Sequence, residues 1–384
     1  MMKGRLDMRC YKVPSTINEG KKEQILRLSL ISIIIPTYNE RENLERIIDR
    51  IFNVLCENEL NGEVIVVDDS SPDGTGKLAD QLKKQYMLEV LHRKDKRGLS
   101  SAVLEGFKIA DGDIIGVMDA DHSHPPECIP KLVEPIKKGK ADMAIGSRYI
   151  SGGSIINWTT KRKIVSKCAT LIARPLTNIK DPMSGFFFLK REVIEGIDFS
   201  AKGYKIGLEI IVKGNHKKVI EIPYTFRDRE VGKSKLNPKE YLNYLSHALG
   251  LYTYKYTTTY QFTKFCIVGG FGALITLAIL YTLVEYAGLW YILAASIAFV
   301  IAVINNFVWN KFWTFYDANI NGMGYQFMKF FVISAISLGI NLAVLYALVE
   351  YFFTWYMLAQ IIAIVLATGS NFIGNKFWTF HGKL

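Results

Sequence analysis

The chain has 384 residues, enough for two or three domains. Its formal net charge is +11, from 47 Lys and Arg against 36 Asp and Glu, a balance compatible with nucleic acid, an anionic membrane surface or a phosphorylated substrate. Beyond residue 261 the sequence is almost wholly apolar and aromatic, so much of the basic charge lies before and between hydrophobic segments. This distribution favours a membrane and argues against nucleic acid as a partner.

Residues 1–29 are mixed in charge and contain no apolar run long enough for a signal peptide, so we interpret them as an N-terminal tail. From residue 30 to residue 236, short apolar runs alternate with amphipathic helical stretches. This pattern predicts an α/β fold, a mostly parallel sheet with crossover helices that becomes less regular from about residue 151. The predicted strands are Ile31–Ile35, Val64–Val67, Leu88–Leu91, Asp113–Met118 and Asp142–Ile145. The predicted helices include Leu44–Leu55, one that begins at Gly98, and Pro126–Lys138.

Polar and acidic residues follow three of these strands. Pro36–Glu40 follows the first, Asp68 and Asp69 end the second, and Asp119 and Asp121 end the central one. In an open α/β sheet, ligands bind beyond the carboxyl ends of the strands. Mg²⁺ is usually held by one or two carboxylates together with substrate phosphates. Asp119 and Asp121 therefore predict a metal-bridged diphosphate substrate, although an acidic strand end taken alone is also typical of a solvated turn.

The last third of the chain predicts a membrane domain over residues 261–384. Four runs contain no Asp, Glu, Lys or Arg, and each approaches or exceeds the ~20 residues that a membrane-spanning helix needs: Cys266–Val284, Tyr286–Asn310, Phe330–Val349 and Tyr351–Asn375. The segment is an internal duplication with a period of 65 residues, since Asn306–Phe315 matches Asn371–Phe380 at eight of ten positions. We therefore predict four helices in two repeated hairpins, related by an axis along the membrane normal.

Lysines indicate how the chain is oriented. The links Glu285–Leu289 and Glu350–Thr354 carry no Lys or Arg, and the lysines near the spans lie on the side that holds the termini: Lys255, Lys264, Lys311, Lys329, Lys376 and Lys383. This asymmetry predicts a multi-pass protein of the cell membrane with a cytoplasmic catalytic domain. Residues 237–260, rich in tyrosine, predict helices at the membrane interface. The simplest role for the four spans is to anchor the protein in the membrane. A role in guiding or flipping the lipid product stays open.

Seven motifs occur in order along residues 30–236: PTYNE, VVDDSSPDGT, GLSSAV, MDADHSHPPE, IGSRY, DPMSGFF, and Arg229 followed by SKL at Ser234–Leu236. With them, this region resembles the family 2 glycosyltransferases of GT-A fold, and more closely the dolichyl-phosphate mannose synthases. Residues 261–384 resemble the GtrA-type hairpins found with some members. The resemblance implies a GT-A catalytic domain followed by an all-α transmembrane domain.

The resemblance also implies roles for individual residues. Asp119, Asp121 and Ser123 would hold Mg²⁺ or Mn²⁺, and Arg148 and Arg162 would bind the acceptor phosphate, with Asp121 and the two arginines as the catalytic residues. The donor sugar nucleotide would contact Pro36, Tyr38, Glu40, Asp68, Asp69, Asp119, Ala120, Asp121, Arg229 and Lys235, the last two on a loop that closes on the donor. His122 departs from the apolar residue usual at its position and receives no role. A zinc site at His122 and His124 lacks a third nitrogen or sulfur ligand nearby.

Sugar transfer fits these residue types. A leaving diphosphate needs positive charge, which a divalent ion and Arg or Lys supply. A hydroxyl acceptor would need a general base, whereas a phosphate monoester, with a second pKa of ~6, is already anionic and needs placement instead. Paired arginines suit that second case.

The predicted function is transfer of mannose from GDP-mannose to dolichyl phosphate in the bilayer, and the resemblance implies inversion at the anomeric carbon. Two alternatives stay open. One is the same reaction with UDP-glucose or another polyprenyl phosphate, since the residues that recognise the nucleotide base cannot be identified from the sequence. The other, of a different class, is a lipid-glycan flippase or scaffold with an inactive head.

Overall fold

The computed structural model of the chain describes residues 30–94, 98–200, 205–228, 238–316 and 322–381. The chain divides into two compact units between Lys255 and Tyr256. The first unit is an α/β domain and the second consists of long apolar helices. Arg229 and Lys235, which the sequence assigns to the donor, lie outside the described residues.

In its described part, the first unit alternates strands and helices. The strands are β1 (Ile31–Thr37), β2 (Gly62–Asp68), β3 (Leu88–His92), β4 (Ile114–Val117), β5 (Met143–Ser147), β6 (Ser154–Ile156), β7 (Phe187–Lys190), β8 (Val219–Pro223) and β9 (Thr225–Arg227). The helices are α1 (Arg41–Glu57), α2 (Thr75–Leu82), α3 (Leu99–Ile109), α4 (Ile129–Lys137), α5 (Thr160–Ala173), α6 (Ile206–Lys213) and α7 (Pro238–Lys255). All five predicted strands are present with small changes at their ends. The predicted helix Pro126–Lys138 instead begins with a 3₁₀ turn, Pro126–Cys128, before α4.

The main sheet has the order β3-β2-β1-β4-β7-β5-β8. β1 pairs in parallel with β2 on one side and β4 on the other, so the strand order reverses between β1 and β4. β7 runs antiparallel to both β4 and β5, and β6 and β9 form a separate two-stranded sheet. A parallel sheet offers a crevice for ligands where its strand order reverses. The predicted α/β, mostly parallel fold is confirmed, and its crevice lies beyond the carboxyl ends of β1 and β4.

Both faces of the sheet are buried, which is why its strands are nearly continuous apolar runs. Alternate residues of β1 point to opposite faces: Ile31, Ile33 and Ile35 pack in the cluster that includes α1 and α4, and Ile34 packs in the cluster that includes α3 and α6. Gly116 in β4 has a close neighbour, since a Cβ at this position would lie 2.2 Å from the ring of Phe188 in β7. The central strand therefore admits a large aromatic residue from its antiparallel neighbour only because it has glycine there.

The second unit contains helices α8 (Thr257–Glu285), α9 (Tyr291–Trp309), α10 (Met323–Glu350) and α11 (Tyr356–Gly374). α9 and α11 each continue as a π-helical segment, Asn310–Thr314 and Asn375–Thr379. Among the described residues, these four helices are long and apolar enough to cross a membrane. The prediction of four spans is confirmed.

The packing of this unit repeats with the sequence. Its buried cluster contains three pairs of phenylalanines that are 65 positions apart: Phe265 and Phe330, Phe307 and Phe372, Phe315 and Phe380. The rings of Phe315 and Phe380 stack on one another at 4.8 Å. The two hairpins thus meet through equivalent residues, as expected for a duplicated unit.

Candidate active site

A cavity of about 320 Å³ lies where β1 and β4 end. Ten of the residues assigned from the sequence line it: Pro36, Tyr38, Glu40, Asp69, Asp119, Ala120, Asp121, Ser123, Arg148 and Arg162. All of these residues belong to the first unit. The structure therefore brings the strand-end residues of the first half of the domain together with two arginines of its second half.

Asp68 and Asp69 are adjacent in sequence but have different surroundings. Asp69 lines the cavity, accepts a hydrogen bond from the backbone N–H of Gly98 at 3.0 Å, and pairs with the buried Arg93 at 2.7 Å. Asp68 turns back on its own loop, where it accepts hydrogen bonds from the hydroxyls of Ser71 at 2.5 Å and Thr37 at 3.3 Å. Asp69 is thus placed to meet a ligand, and Asp68 shapes the loop beside it.

The residues after β4 form a tight turn around the carboxylate of Asp121. His122 has a positive φ of 61°, a left-handed conformation that is uncommon for a residue with a side chain. The turn directs the backbone N–H of Ser123 onto Oδ1 of Asp121 at 3.1 Å. Nδ1 of His122 lies 3.2 Å from Arg50. The local backbone therefore fixes the orientation of the Asp121 carboxylate.

His124 holds the backbone of the second acidic residue, Asp119. Its Nδ1 accepts a hydrogen bond from the backbone N–H of Asp119 at 2.9 Å, and its ring stacks on Phe186 at 5.0 Å. Burial lowers the pKa of His124 and so favours the neutral ring. With Nδ1 as acceptor, the proton of the neutral ring is assigned to Nε2, which lies 3.9 Å from Oδ2 of Asp119.

The residues at this turn fit a divalent cation that prefers oxygen ligands. Asp119 and Asp121 offer carboxylates, and the buried Oγ of Ser123 has no hydrogen-bond partner among the described residues. Those residues contain no group of three or more His, Cys, Asp or Glu that could hold an ion. Two carboxylates and a hydroxyl leave room for substrate oxygens, which is how Mg²⁺ is commonly bound. A zinc site is disfavoured, because neither nitrogen of His124 offers a lone pair to a metal: Nδ1 accepts the hydrogen bond from Asp119, and Nε2 carries the proton of the neutral ring.

Arg148 follows β5 and is held by a buried carboxylate. Its Nε and Nη2 donate to the two carboxylate oxygens of Asp181, both at 2.7 Å, and its backbone N–H donates to Oδ2 at 2.9 Å. Burial alone would lower the pKa of Arg148, but the hydrogen bonds and charge of Asp181 raise it. This pair uses the edge of the guanidinium formed by Nε and Nη2, and Arg148 lines the cavity, where Nη1 can donate to an anion.

Arg162, on α5, and Arg148 both lie against the indole ring of Trp158. The guanidinium carbons of Arg162 and Arg148 lie 4.5 and 5.2 Å from the ring centroid of Trp158, distances typical of cation–π contacts. Arg162 also donates to Asp228 at 2.6 Å. The buried Nε1 of Trp158 has no hydrogen-bond partner among the described residues. Trp158 lines the cavity beside the two arginines.

Lys205 is a third cation at the same cavity. Its Nζ donates to the carbonyl of Met183 at 3.2 Å. Burial lowers the pKa of Lys205 to about 8, and the charge of Arg148 contributes further to the shift. We call Asp69, Asp119 and Asp121 the acidic wall of the cavity, and Arg148, Arg162 and Lys205 its basic wall.

Helix α7 closes part of the cavity with Tyr244 and His247. His247 lies 3.2 Å from the buried carboxylate of Glu209 on α6, and Lys213 pairs with the same carboxylate at 2.8 Å. Burial would raise the pKa of Glu209, but hydrogen bonds from His247, Lys213 and the backbone of Ser200 lower it to about 2. The buried carboxylate of Glu209 thus connects α7 to α6 within the first unit.

Comparison with known proteins identifies the family of the chain. Residues 32–198 match the family described as Glycosyl transferase family 2, and residues 264–380 match the one described as GtrA/DPMS, transmembrane domain. The chain is 42% identical over 354 residues to a dolichol-phosphate mannosyltransferase of Pyrococcus furiosus, a match that covers 91% of this chain and 99% of the relative. The chain belongs to the dolichol-phosphate mannosyltransferase family.

Other relatives match the catalytic region. A dolichol-phosphate mannosyltransferase of Saccharomyces cerevisiae is 39% identical over 236 residues, which cover 59% of this chain and 88% of the yeast protein. A polyprenol monophosphomannose synthase of Mycolicibacterium smegmatis is 42% identical over 217 residues, which cover 53% of this chain and 80% of that protein. The predictions of a glycosyltransferase and of a multi-pass membrane protein are confirmed.

Several residues of the site are not predicted from the sequence. His124 and Asp181 lie in the motifs but receive no role there, and no motif singles out Trp158, Lys205 or the two residues of α7, Tyr244 and His247. Lys205 had a detectable signal, since it is a charged residue directly before the apolar run of α6. Asp181 could not be assigned from sequence because its partner Arg148 is 33 positions away.

Proposed function

We propose that the chain transfers mannose from GDP-mannose to dolichyl phosphate, giving dolichyl phosphate mannose and GDP with inversion at the anomeric carbon. The observation that carries this proposal is one cavity lined both by the carboxylates of the acidic wall and by the three cations of the basic wall. The acidic wall suits a metal-bound diphosphate, and the basic wall suits a phosphate monoester. The relatives named above as dolichol-phosphate mannosyltransferases support the sugar and the lipid.

Mg²⁺ or Mn²⁺ would be held by Asp119, Asp121 and Ser123. When bound, the ion supplies positive charge to the diphosphate leaving group. The protein's own residues prepare this site, because the Ser123 N–H fixes the Asp121 carboxylate and His124 fixes the backbone of Asp119 before the donor arrives. Asp69 is placed to accept hydrogen bonds from the donor nucleoside beyond β2.

The basic wall places the acceptor. A free edge of the Arg148 guanidinium, together with Arg162 and the N–H of Trp158, can bind the phosphate and aim one oxygen at the anomeric carbon. No general base is required, since a phosphate monoester is already largely ionised at neutral pH. Attack from the face opposite the leaving diphosphate gives inversion.

A transfer assay with the purified full chain in detergent tests the proposal. GDP-mannose and UDP-glucose are offered separately with dolichyl phosphate, with Mn²⁺, with Mg²⁺, or with a chelator. We expect mannosyl lipid from GDP-mannose that requires the metal. Transfer from UDP-glucose alone would support the mechanism but contradict the assignment of mannose as the sugar. If neither donor is transferred or bound, the result would favour the alternative of a flippase or scaffold.

We also propose that the catalytic unit faces the cytoplasm. The links between paired spans carry no Lys or Arg, whereas lysines concentrate at the opposite ends of the spans. A single cysteine placed at Glu285 should react with a membrane-impermeant thiol reagent added to intact cells, and one placed at Asp111 should react only after lysis. The reverse labelling would overturn this orientation.

A further inference from the structure

Lys205 is the residue of the basic wall for which the resemblance implies no role. It lies directly before α6, lines the cavity, and is held by its hydrogen bond to the carbonyl of Met183. This bond uses one of the three N–H donors of the ammonium group. The remaining donors can be offered to a ligand in the cavity.

The charges around Lys205 come from both walls. Arg148 and Arg162 face it from the basic wall, Asp119 faces it from the acidic wall, and Asp181 lies behind Arg148. A desolvated ammonium beside two guanidinium groups is unfavourable unless an anion compensates it. Lys205 lines the cavity close to charges of both signs, and this position is suited to an anion that enters the cavity.

Both substrates of the proposed reaction are anions. An oxygen of the acceptor phosphate must reach the anomeric carbon, which is bonded to the donor diphosphate. The two phosphate groups repel each other as they approach, and a fixed cation near both reduces that repulsion. Arg148 and Arg162 are each paired with a carboxylate, Asp181 or Asp228, whereas Lys205 donates to an uncharged carbonyl, that of Met183.

We propose that Lys205 contacts the acceptor phosphate and stabilises it as it approaches the donor diphosphate. This inference rests on the proposed function. The phosphate oxygen forms the new bond to the anomeric carbon while the bond from that carbon to the diphosphate oxygen breaks, and the electron pair leaves with the diphosphate. Lys205 stays protonated throughout, because the acceptor has no proton that must be removed.

Three variants of the full chain in detergent test this role. K205Q removes the charge but retains an N–H donor for the Met183 carbonyl, K205R keeps the charge, and K217Q is the control at an exposed lysine of the same unit. The probes are farnesyl phosphate, uncharged farnesol, and GDP with Mn²⁺, each titrated separately. We expect K205Q to bind farnesyl phosphate at least tenfold more weakly, with GDP and farnesol unchanged within twofold. K205R and K217Q should stay within threefold of the wild type for all three probes.

A pH series provides the second readout. Binding of farnesyl phosphate to the wild type should weaken between pH 7 and pH 9.5, since the pKa of Lys205 is about 8, whereas binding to K205R should stay level. The comparison of the wild type with K205R tests the role of Lys205 even if K205Q fails to fold. Unchanged farnesyl phosphate binding in K205Q, or the same pH response in the wild type and K205R, would overturn the proposal. Absence of transfer by the wild type would refute the proposed function instead, and the farnesyl phosphate titrations would still decide the role of Lys205.

Discussion

The acidic and basic walls of the cavity are built in different ways. Two of the three residues of the acidic wall are held within their own turn: Asp121 by the N–H of Ser123, two residues away, and the backbone of Asp119 by His124. Asp69 is the exception, since it is held by Arg93 and the N–H of Gly98. Arginines of the basic wall are oriented by distant carboxylates, Arg148 by Asp181 and Arg162 by Asp228. A strand end is therefore sufficient to form most of one wall, whereas the other requires the complete fold. Substitutions in the two walls should therefore differ in how strongly they affect activity and stability.

Asp121→Asn should have the largest effect on activity. The amide replaces a carboxylate that we assign to the metal and so weakens the stabilisation of the leaving diphosphate, with a loss of roughly a thousandfold in kcat. Thermal unfolding should change little, because the amide has the size of the carboxylate and its oxygen can still accept the hydrogen bond from the Ser123 N–H. The assay measures mannosyl lipid at saturating donor. Asp111→Asn, the same chemical change at an exposed position, is the control; more than a tenth of wild-type activity in Asp121→Asn would exclude it as a metal ligand.

Asp181→Asn should instead damage the fold as well as the activity. It leaves the buried Arg148 without its carboxylate, and breaking a buried ion pair in this way costs about 3–5 kcal/mol. Chemical denaturation with tryptophan fluorescence measures the loss. A stability equal to that of the wild type would show that Asp181 does not hold the basic wall.

His124→Leu tests the contribution of a positioning residue to the acidic wall. The N–H of Asp119 loses its acceptor, and changes to residues that support metal ligands typically cost about 10–100-fold in metal affinity. Titration with Mn²⁺ and GDP provides the measurement. His124→Asn, whose side-chain oxygen can replace Nδ1, should recover most of the affinity. Equal behaviour of the two variants would argue against the hydrogen bond.

Glu209 predicts a dependence of stability on acid. Its pKa in the folded chain is about 2, below its ordinary value of 4.5, so its contribution is complete above pH 4.5 and is lost as the pH falls towards 2. Glu209→Gln should cost about 1–3 kcal/mol at pH 7, because buried donors on Lys213 and His247 lose a charged acceptor. The difference in unfolding free energy between the wild type and Glu209→Gln should shrink from pH 6 to pH 3. A constant difference would contradict the assigned pKa.

Asp228→Asn should have the smallest effect. Its side chain and that of Arg162 are 29% and 23% exposed, and ion pairs open to water contribute up to about 1 kcal/mol. The same denaturation experiment therefore compares the two carboxylates of the basic wall. A cost as large as that of Asp181→Asn would mean that the exposed pair is as important to the fold as the buried one.

The contrast between the walls also explains what the sequence could predict. Asp119 and Asp121 were found because they directly follow an apolar strand, and the four spans were found because each is a long run without charge. The ion pairs of Arg148 and Arg162 join residues 33 and 66 positions apart in the sequence. A local sequence pattern cannot predict contacts between residues so far apart. The resemblance provided the two arginines, but their carboxylate partners and Lys205 required the tertiary structure.

The second unit shows the same limit. The predicted spans stopped at charged residues, whereas α8 and α10 begin earlier and include Lys264 and Lys329. Each lysine is accommodated by the next helix of its hairpin, where it lies 5.1 Å from the ring of Trp313 or 5.3 Å from that of Trp378. A charge-free run marks the apolar centre of a helix and does not mark its ends.

The central claim is that the two walls bind two different anions. Calorimetric titration of GDP with Mn²⁺, and separately of farnesyl phosphate, into Asp121→Asn and Arg162→Gln tests it directly. We predict a crossed result: Asp121→Asn loses at least tenfold in affinity for GDP with Mn²⁺ and keeps farnesyl phosphate within twofold, and Arg162→Gln does the reverse. Equal weakening of both ligands in both variants would contradict the division of the cavity into two walls.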